Sequence, residues 1–199
     1  MKYFNSLPLV SVTTPDNKTT LYRNLMTRIS IIPSILNNPL VYYSYDIQEG
    51  DTPEIVADKY YGDSYRYWIV MFSNQMMDPQ WDWPLNSENF QKYIIDKYTN
   101  MGIDPYTTVK SYQKTITQTD SLGQVSSDTV EISKSDFDNN VDSSYNLTIS
   151  GETVNVSITF NTLNYYQYEV NLNESKRTIK LLNKDYVTQI ENEFKSLLG

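Results

Sequence analysis

Between Tyr42 and Asn74 the period of the hydrophobic positions changes within a few residues. Tyr43, Tyr45 and Ile47 alternate with Ser44 and Asp46, which predicts a half-buried strand. Glu49-Gly50-Asp51 breaks the alternation as a turn. Thr52 then offers an N-cap hydroxyl, Pro53 has the fixed φ of a first helical position, and Glu54 suits the positive end of the helix dipole. Val56, Ala57, Tyr60 and Tyr61 form the apolar stripe of that helix, and Gly62 ends it in the left-handed conformation. Asp63 or Ser64 caps a second helix, whose Trp68, Ile69, Met71 and Phe72 leave little polar face. A helix of that composition is buried.

Other stretches show weaker periods. Residues 1–20, with Pro8 and Pro15, predict an extended arm. Its Leu7, Leu9, Val10 and Val12 lack helical spacing, so they either lie on the body or dock on a partner. From Thr20 to Ile32, Leu21, Leu25 and Ile29 recur every four residues, predicting an amphipathic helix stopped by Pro33. That helix either covers its own domain or faces a partner. After a loop at residues 75–79, Trp81 and Trp83 share one face if Trp81–Leu85 is a strand. Ser87 caps a helix carrying Phe90, Ile94 and Tyr98. Val109–Thr117 and the segment around Val130 and Ile132 alternate about a turn at Asp120–Gly123. Tyr145–Ile149 and Val154–Phe160 form a second hairpin about Ser150-Gly151, with Lys134–Ser144 a loop between the hairpins. Leu163–Leu172 has helical character, Arg177–Leu182 is a strand or extended link, and a last helix opens at Asn183 or Asp185. Tyr186, Val187, Ile190, Phe194, Leu197 and Leu198 give it one apolar stripe, which needs a groove to lie in.

The chain therefore reads as α+β. It divides into an N-terminal arm and helix (1–40), a βαα core with its following helix (41–100), a β-rich insertion (101–162) and a C-terminal strand and helix (163–199).

Composition narrows the chemistry. The 199 residues carry a net charge of −8, which disfavours nucleic-acid backbone binding, although residues 1–40 hold four basic groups against Asp16 alone. The absence of Cys and His removes disulfides, thiolate nucleophiles, a His general base and ordinary zinc sites. No apolar run approaches a membrane span and no signal-peptide core follows Met1, so a soluble chain used without export is expected. Eighteen Tyr against six Phe suit half-buried surfaces and interfaces. Glu49, Asp51, Asp58 and Asp63 gather near one turn, but turns and helix N-termini collect carboxylates for solubility and dipole reasons. No catalytic residue, cofactor or metal is expected.

The order GDT, first helix, YYG, second helix with YW and a closing Asn resembles the LysM module, a small βααβ domain that binds N-acetylglucosamine polymers. With YRN before it (Tyr22-Arg23-Asn24), DPQWDWPL and a helix ending in KY after it, and LNYYQYEVNLNESKRTIKLLNKDYVTQIENEF at the end, the chain is similar to the LysM-containing baseplate wedge subunits of T-even-type contractile-tailed bacteriophages. The likeness covers about residues 20–100 and the C-terminus; about residues 105–160 depart from it, and nothing is carried over there.

The resemblance implies a structural component of the tail baseplate, assembled in the host cytoplasm. It implies as partners other wedge proteins, a sheath-initiator-like ring protein and the adjacent wedge, with no nucleic acid or membrane. Candidate partner-binding residues are Leu21, Leu25, Ile29, Trp81, Trp83, Tyr186, Ile190, Phe194 and Leu197. The alternative is a peptidoglycan- or chitin-oligosaccharide-binding module with its groove at Gly50, Asp51, Thr52, Pro53, Asn74 and Gln75. The bland reading of those residues is that Thr52 and Asn74 simply cap and turn the backbone.

Overall fold

The computed structural model describes residues 3–27, 30–31, 33–149 and 151–198. In chain order its first elements are β1 (Leu9–Thr13), β2 (Thr19–Arg23), α1 (Pro33–Leu36), β3 (Tyr42–Asp46), α2 (Pro53–Tyr61) and α3 (Tyr67–Ser73). Next come α4 (Pro79–Asp82), α5 (Ser87–Met101), β4 (Val109–Thr119), β5 (Val125–Ile132) and α6 (Lys134–Asp138). The last are β6 (Ser143–Ile149), β7 (Glu152–Asn164), α7 (Tyr165–Glu174), β8 (Thr178–Leu182) and α8 (Val187–Leu198). The α+β expectation holds. The chain forms two compact units, Met1–Ser87 with Asn173–Gly199, and Glu88–Leu172.

In the first unit β3 pairs antiparallel with β8, Tyr42 facing Leu182 and Asp46 facing Thr178. Helices α2 and α3 lie between these strands in sequence and pack on them as βααβ. The local chemistry is as the sequence dictates. The Thr52 hydroxyl accepts from the Ile55 N–H, Pro53 opens α2, and Gly62 closes it at φ +69°. Asp63 accepts from the Tyr65 N–H to start the turn into α3. Trp68, Ile69, Val70 and Met71 are buried, so α3 is the core helix of this unit. The strand's expected inward face is kept by Tyr45 and Ile47, whereas Tyr43 at its start is exposed and Tyr42 is partly buried against the core.

Three expectations change here. The strand expected at Trp81–Leu85 is absent: Pro79–Asp82 is one helical turn, capped by Asp78, and the partner of β3 is the C-terminal strand β8. The helix expected from Thr20 to Ile32 is replaced by β2, which forms a hairpin with β1. Thr19, Thr20 and Tyr22 are β-branched or aromatic, and the turn between the strands closes at Asn17, which tolerates φ +56°. Ile29 and Ile32 of that expected stripe lie outside the described residues, and Pro33 starts α1 rather than stopping a helix. The arm is also less extended than expected. Tyr3–Ser6 is a 3-10 turn, Leu7 is buried in the core, and the Tyr3 ring packs on Trp68, Phe72 and Phe194.

The last helix is covered by its own unit. Val187, Phe194 and Leu198 are buried, and Phe194 stacks 4.7 Å from Trp68 between ring centroids.

In the second unit the strands run in the order β5-β4-β7-β6, all antiparallel. Directly paired residues share a face, so the register puts Tyr112, Ile116, Val130, Ile132, Tyr145 and Leu147 with Val154, Val156, Ile158 and Phe160. The other face carries Thr115, Thr117, Thr129, Asn146, Asn155, Ser157 and Thr159. Both hairpins of the sequence reading are present. Lys134–Asp138 is a helix rather than loop, capped by Ser133 and held by a Lys134–Asp138 ion pair at 2.7 Å, with Phe137 against Tyr112. Helices α5 and α7 meet through Glu169, buried, which accepts from Lys97 Nζ and Tyr98 Oη at 2.7 Å each. Burial opposes the Lys97 charge, but Glu169 and Tyr93 together raise its pKa; burial and then Glu169 raise that of Tyr98.

All three tryptophans lie in the first unit, so their fluorescence follows its unfolding selectively. Phe194→Ala is expected to lower the stability read this way by about 3–5 kcal/mol, because the cavity would open among Tyr3, Trp68 and Phe72. A loss below about 0.5 kcal/mol would place the α8 stripe outside the core.

Candidate functional site

The six groove candidates sit on two loops of the first unit. Gly50 takes φ +84°, which lets the chain reverse and sends Asp51 inward. The Asp51 carboxylate accepts from Lys59 Nζ at 2.6 Å, Tyr45 Oη at 2.7 Å and the Gln48 N–H at 3.0 Å. Burial opposes its ionisation, yet these three donors prevail and hold its pKa below the ordinary 3.8. Burial, and after it the hydrogen bond to Asp51, pushes Tyr45 up to about 12. The Asp51 carbonyl is taken as well, by the buried indole N–H of Trp83 at 2.8 Å. Thr52 is occupied as an N-cap.

Asn74 is equally committed. Its amide donates to the carbonyls of Val70 and Lys180, both at 2.8 Å, and its side-chain oxygen accepts from the Lys180 N–H at 2.7 Å. It therefore fastens the C-terminus of α3 to strand β8. Gln75 follows with φ +56°, its N–H donating to the Phe72 carbonyl. Asn74 and Gln75 line a depression of about 330 Å³ together with Asp82, Lys176 and Thr178. Gly50, Asp51, Thr52 and Pro53 are not among the residues that line this depression.

The nearby acids also have structural roles. Glu49 accepts from the Ser87 N–H at 2.7 Å, and Asp63 caps the turn before α3. Among the described residues no group of three or more His, Cys, Asp or Glu could hold a metal ion.

The partner-binding candidates separate into two sets. Leu21, Leu25, Trp81, Tyr186 and Leu197 are exposed, from 41% at Tyr186 to 71% at Leu197. Trp83 and Phe194 are core residues, and Ile190 packs partly on that core, so these three are not presented as a surface. Ile29 lies outside the described residues.

Sequence reasoning missed an exposed apolar feature, the β1–β2 ribbon. All ten of its residues are exposed, including Leu9, Val10, Val12, Leu21 and Tyr22, and Leu25 and Met26 follow it. A signal was present: Pro15-Asp16-Asn17-Lys18 is turn chemistry between two alternating stretches. The ribbon is tied back at its base, where Arg23 Nη1 donates to the Leu7 carbonyl at 2.8 Å and the Asn24 N–H to that of Pro8.

The family model described as Base plate wedge protein 53 matches residues 11–197. Baseplate wedge protein gp53 of Enterobacteria phage T4 is 33% identical over 61 residues, a match that spans 31% of this chain and 31% of that protein. The match thus covers less than a third of that relative. Among the described residues no helix is long and apolar enough to cross a membrane.

The depressed pKa of Asp51 has a definite consequence for stability. A carboxylate with a lower pKa folded than unfolded stabilises the fold above the unfolded value and loses that contribution as pH falls through the folded one. The stability of the first unit is therefore expected to decline as pH drops below 3.8 and through the depressed value. Asp51→Asn should flatten this part of the profile and cost about 1–3 kcal/mol at neutral pH, measured by denaturation followed through tryptophan fluorescence. An unchanged pH profile would show that Asp51 does not couple ionisation to folding.

Proposed function

The chain belongs to the base plate wedge protein 53 family, and on that premise we propose that it joins wedge proteins and neighbouring wedges around the hub of a contractile phage tail. A structural role in the tail baseplate of the virion follows from the family; the joining contacts are the reading advanced here. Its work is protein–protein contact rather than catalysis. The β3-α2-α3-β8 arrangement is read as a LysM-like core, used for docking and split between its second helix and second strand by a long excursion. The partners inferred for it are other wedge proteins, a sheath-initiator-like ring protein and the adjacent wedge, met during assembly in the host cytoplasm.

One observation carries this reading: the β1–β2 ribbon exposes its apolar residues on both faces and has no core of its own. A lone two-stranded hairpin is marginal in water, so the ribbon is suited to a neighbour that covers it. The groove candidates favour the same side of the argument. The side chains of Asp51, Thr52 and Asn74 already hold protein partners, leaving little to recognise an acetylated sugar.

Leu21→Asp combined with Tyr22→Asp tests the proposal. The isolated double variant should keep its stability within about 0.5 kcal/mol, since both positions are exposed and outside the core. Phage carrying it should fail to complete baseplates, as seen by electron microscopy of tail particles. Normal baseplates would remove the ribbon from the joining surface. In the same preparation, titration calorimetry with chitin oligosaccharides should show no binding; micromolar affinity would move the case to the carbohydrate reading.

A further inference from the structure

The four-stranded sheet of the second unit ends in two strands with very different edges. On one side is β5, whose Asp128 pairs with Ile116 and so lies on the apolar face, with Glu131 on the opposite face. A charge turned onto the apolar face is a recognised device against edge-to-edge pairing, because an added strand would bury it. On the other side is β6, Ser-Ser-Tyr-Asn-Leu-Thr-Ile, which contains no charge, no Pro and no Gly. Among the described residues it pairs only with β7, in unbroken register from Ser143 to Ile149. Residues Ser143 to Thr148 are all exposed. Tyr145 and Leu147 extend the apolar face beyond Val154 and Val156, and 47% and 42% of their surfaces remain open. One edge is protected and the other is left ready to pair.

We propose that β6 is an acceptor edge, completed by an extended segment of a partner polypeptide that carries alternating apolar residues between basic ends. The backbone N–H and C=O groups on the outer side of β6 supply the ladder, and the alternate apolar side chains continue the Tyr145–Leu147 face. Charge selects the ends. The second unit holds eleven acidic side chains against five lysines, and β6 is bracketed by Asp142 before it, whose Oδ1 accepts from the Phe160 N–H at 2.8 Å, and by Glu152 after it. Lysine or arginine on both flanks of the incoming strand meets these acids. A second copy of this chain fits poorly for the same reason: antiparallel pairing of β6 with itself sets the Asp142 end of each chain beside the Glu152 end of the other. This inference rests on the wedge-joining reading only for the origin of the strand.

The test uses the full chain and a synthetic peptide of alternating Val and Thr with paired lysines at each end. Hydrogen exchange should show new protection confined to residues 143–149. Fluorescence polarisation should show binding weakened by about tenfold or more in Leu147→Lys, which gives β6 the kind of inward charge that β5 carries. Should Leu147→Lys fail to fold by circular dichroism, Asn146→Lys on the polar face replaces it, with the same expected loss. A peptide with glutamates in place of the lysines should bind correspondingly more weakly. No protection at β6, equal binding of both peptides, affinity unchanged by the β6 variant, or dimerisation of the chain through β6 would each overturn the proposal. Because no baseplate is involved, failure here leaves the ribbon experiment standing, and failure there leaves this result standing.

Discussion

The first unit depends on one long-range contact, the pairing of Tyr42–Asp46 with Thr178–Leu182. Ile179, Leu181 and Leu182 of the second strand are at most 2% exposed, so this pairing supplies the floor on which α3 packs. Closing a flexible loop of that length costs on the order of 4 kcal/mol in chain entropy, before any contact repays it. Two polar devices narrow the ensemble. Asn74 reads the backbone of Lys180 through both its amide and its oxygen, fixing β8 against α3. Asn173 does the same for Leu85, accepting from its N–H at 2.7 Å and donating to its carbonyl at 3.0 Å. Leu85 and Asn173 stand just before and just after the excursion, so the side chain of Asn173 pins the two ends of the first unit's interrupted chain together.

Parts of both units were legible because their information is local. Thr52, Pro53, Gly62 and Asp63 each act within three or four residues of themselves, and the alternation of β6 and β7 needs only the pleat. The burial of α3 followed from a helix with almost no polar side. The partner of β3 was not legible as such. Arg177–Leu182 reads as extended, but nothing in it names a strand more than a hundred residues earlier. Trp81 and Trp83 competed for that place, since two aromatics at alternate positions imitate a strand. Pro79 at the first position of a capped turn decided against them, and Trp83 instead uses its indole N–H to close the Asp51 turn.

The stripe at Leu21 and Leu25 misled for a related reason. Spacing by four is also spacing by an even number, so one strand face shares it with a helix. What separates the two is composition and the preceding turn, and Thr19, Thr20 and Tyr22 after Pro15-Asp16-Asn17 favour the ribbon. The candidate site was less legible than the fold. Carboxylates and amides near a turn look alike whether they await a ligand or hold the backbone, and only the distances around Asp51, Glu49 and Asn74 assign them to the second role.

Those assignments bear on how such a chain recognises anything. A groove that binds a sugar must leave donors and acceptors unpaired until the ligand arrives, at a cost to the folded state. Here Asp51, Glu49, Asp63 and Asn74 already hold partners within the protein, and the first unit gains rigidity in return. Unsatisfied capacity lies elsewhere, in the apolar side chains of the β1–β2 ribbon and in the backbone edges of the second unit's sheet. Apolar surface and open backbone are satisfied by polypeptide, not by small polar ligands. In the joining role proposed above, such a protein would keep a stiff centre whose polar chemistry is internal and hold its recognition in elements whose own stability is completed by the neighbour that covers them.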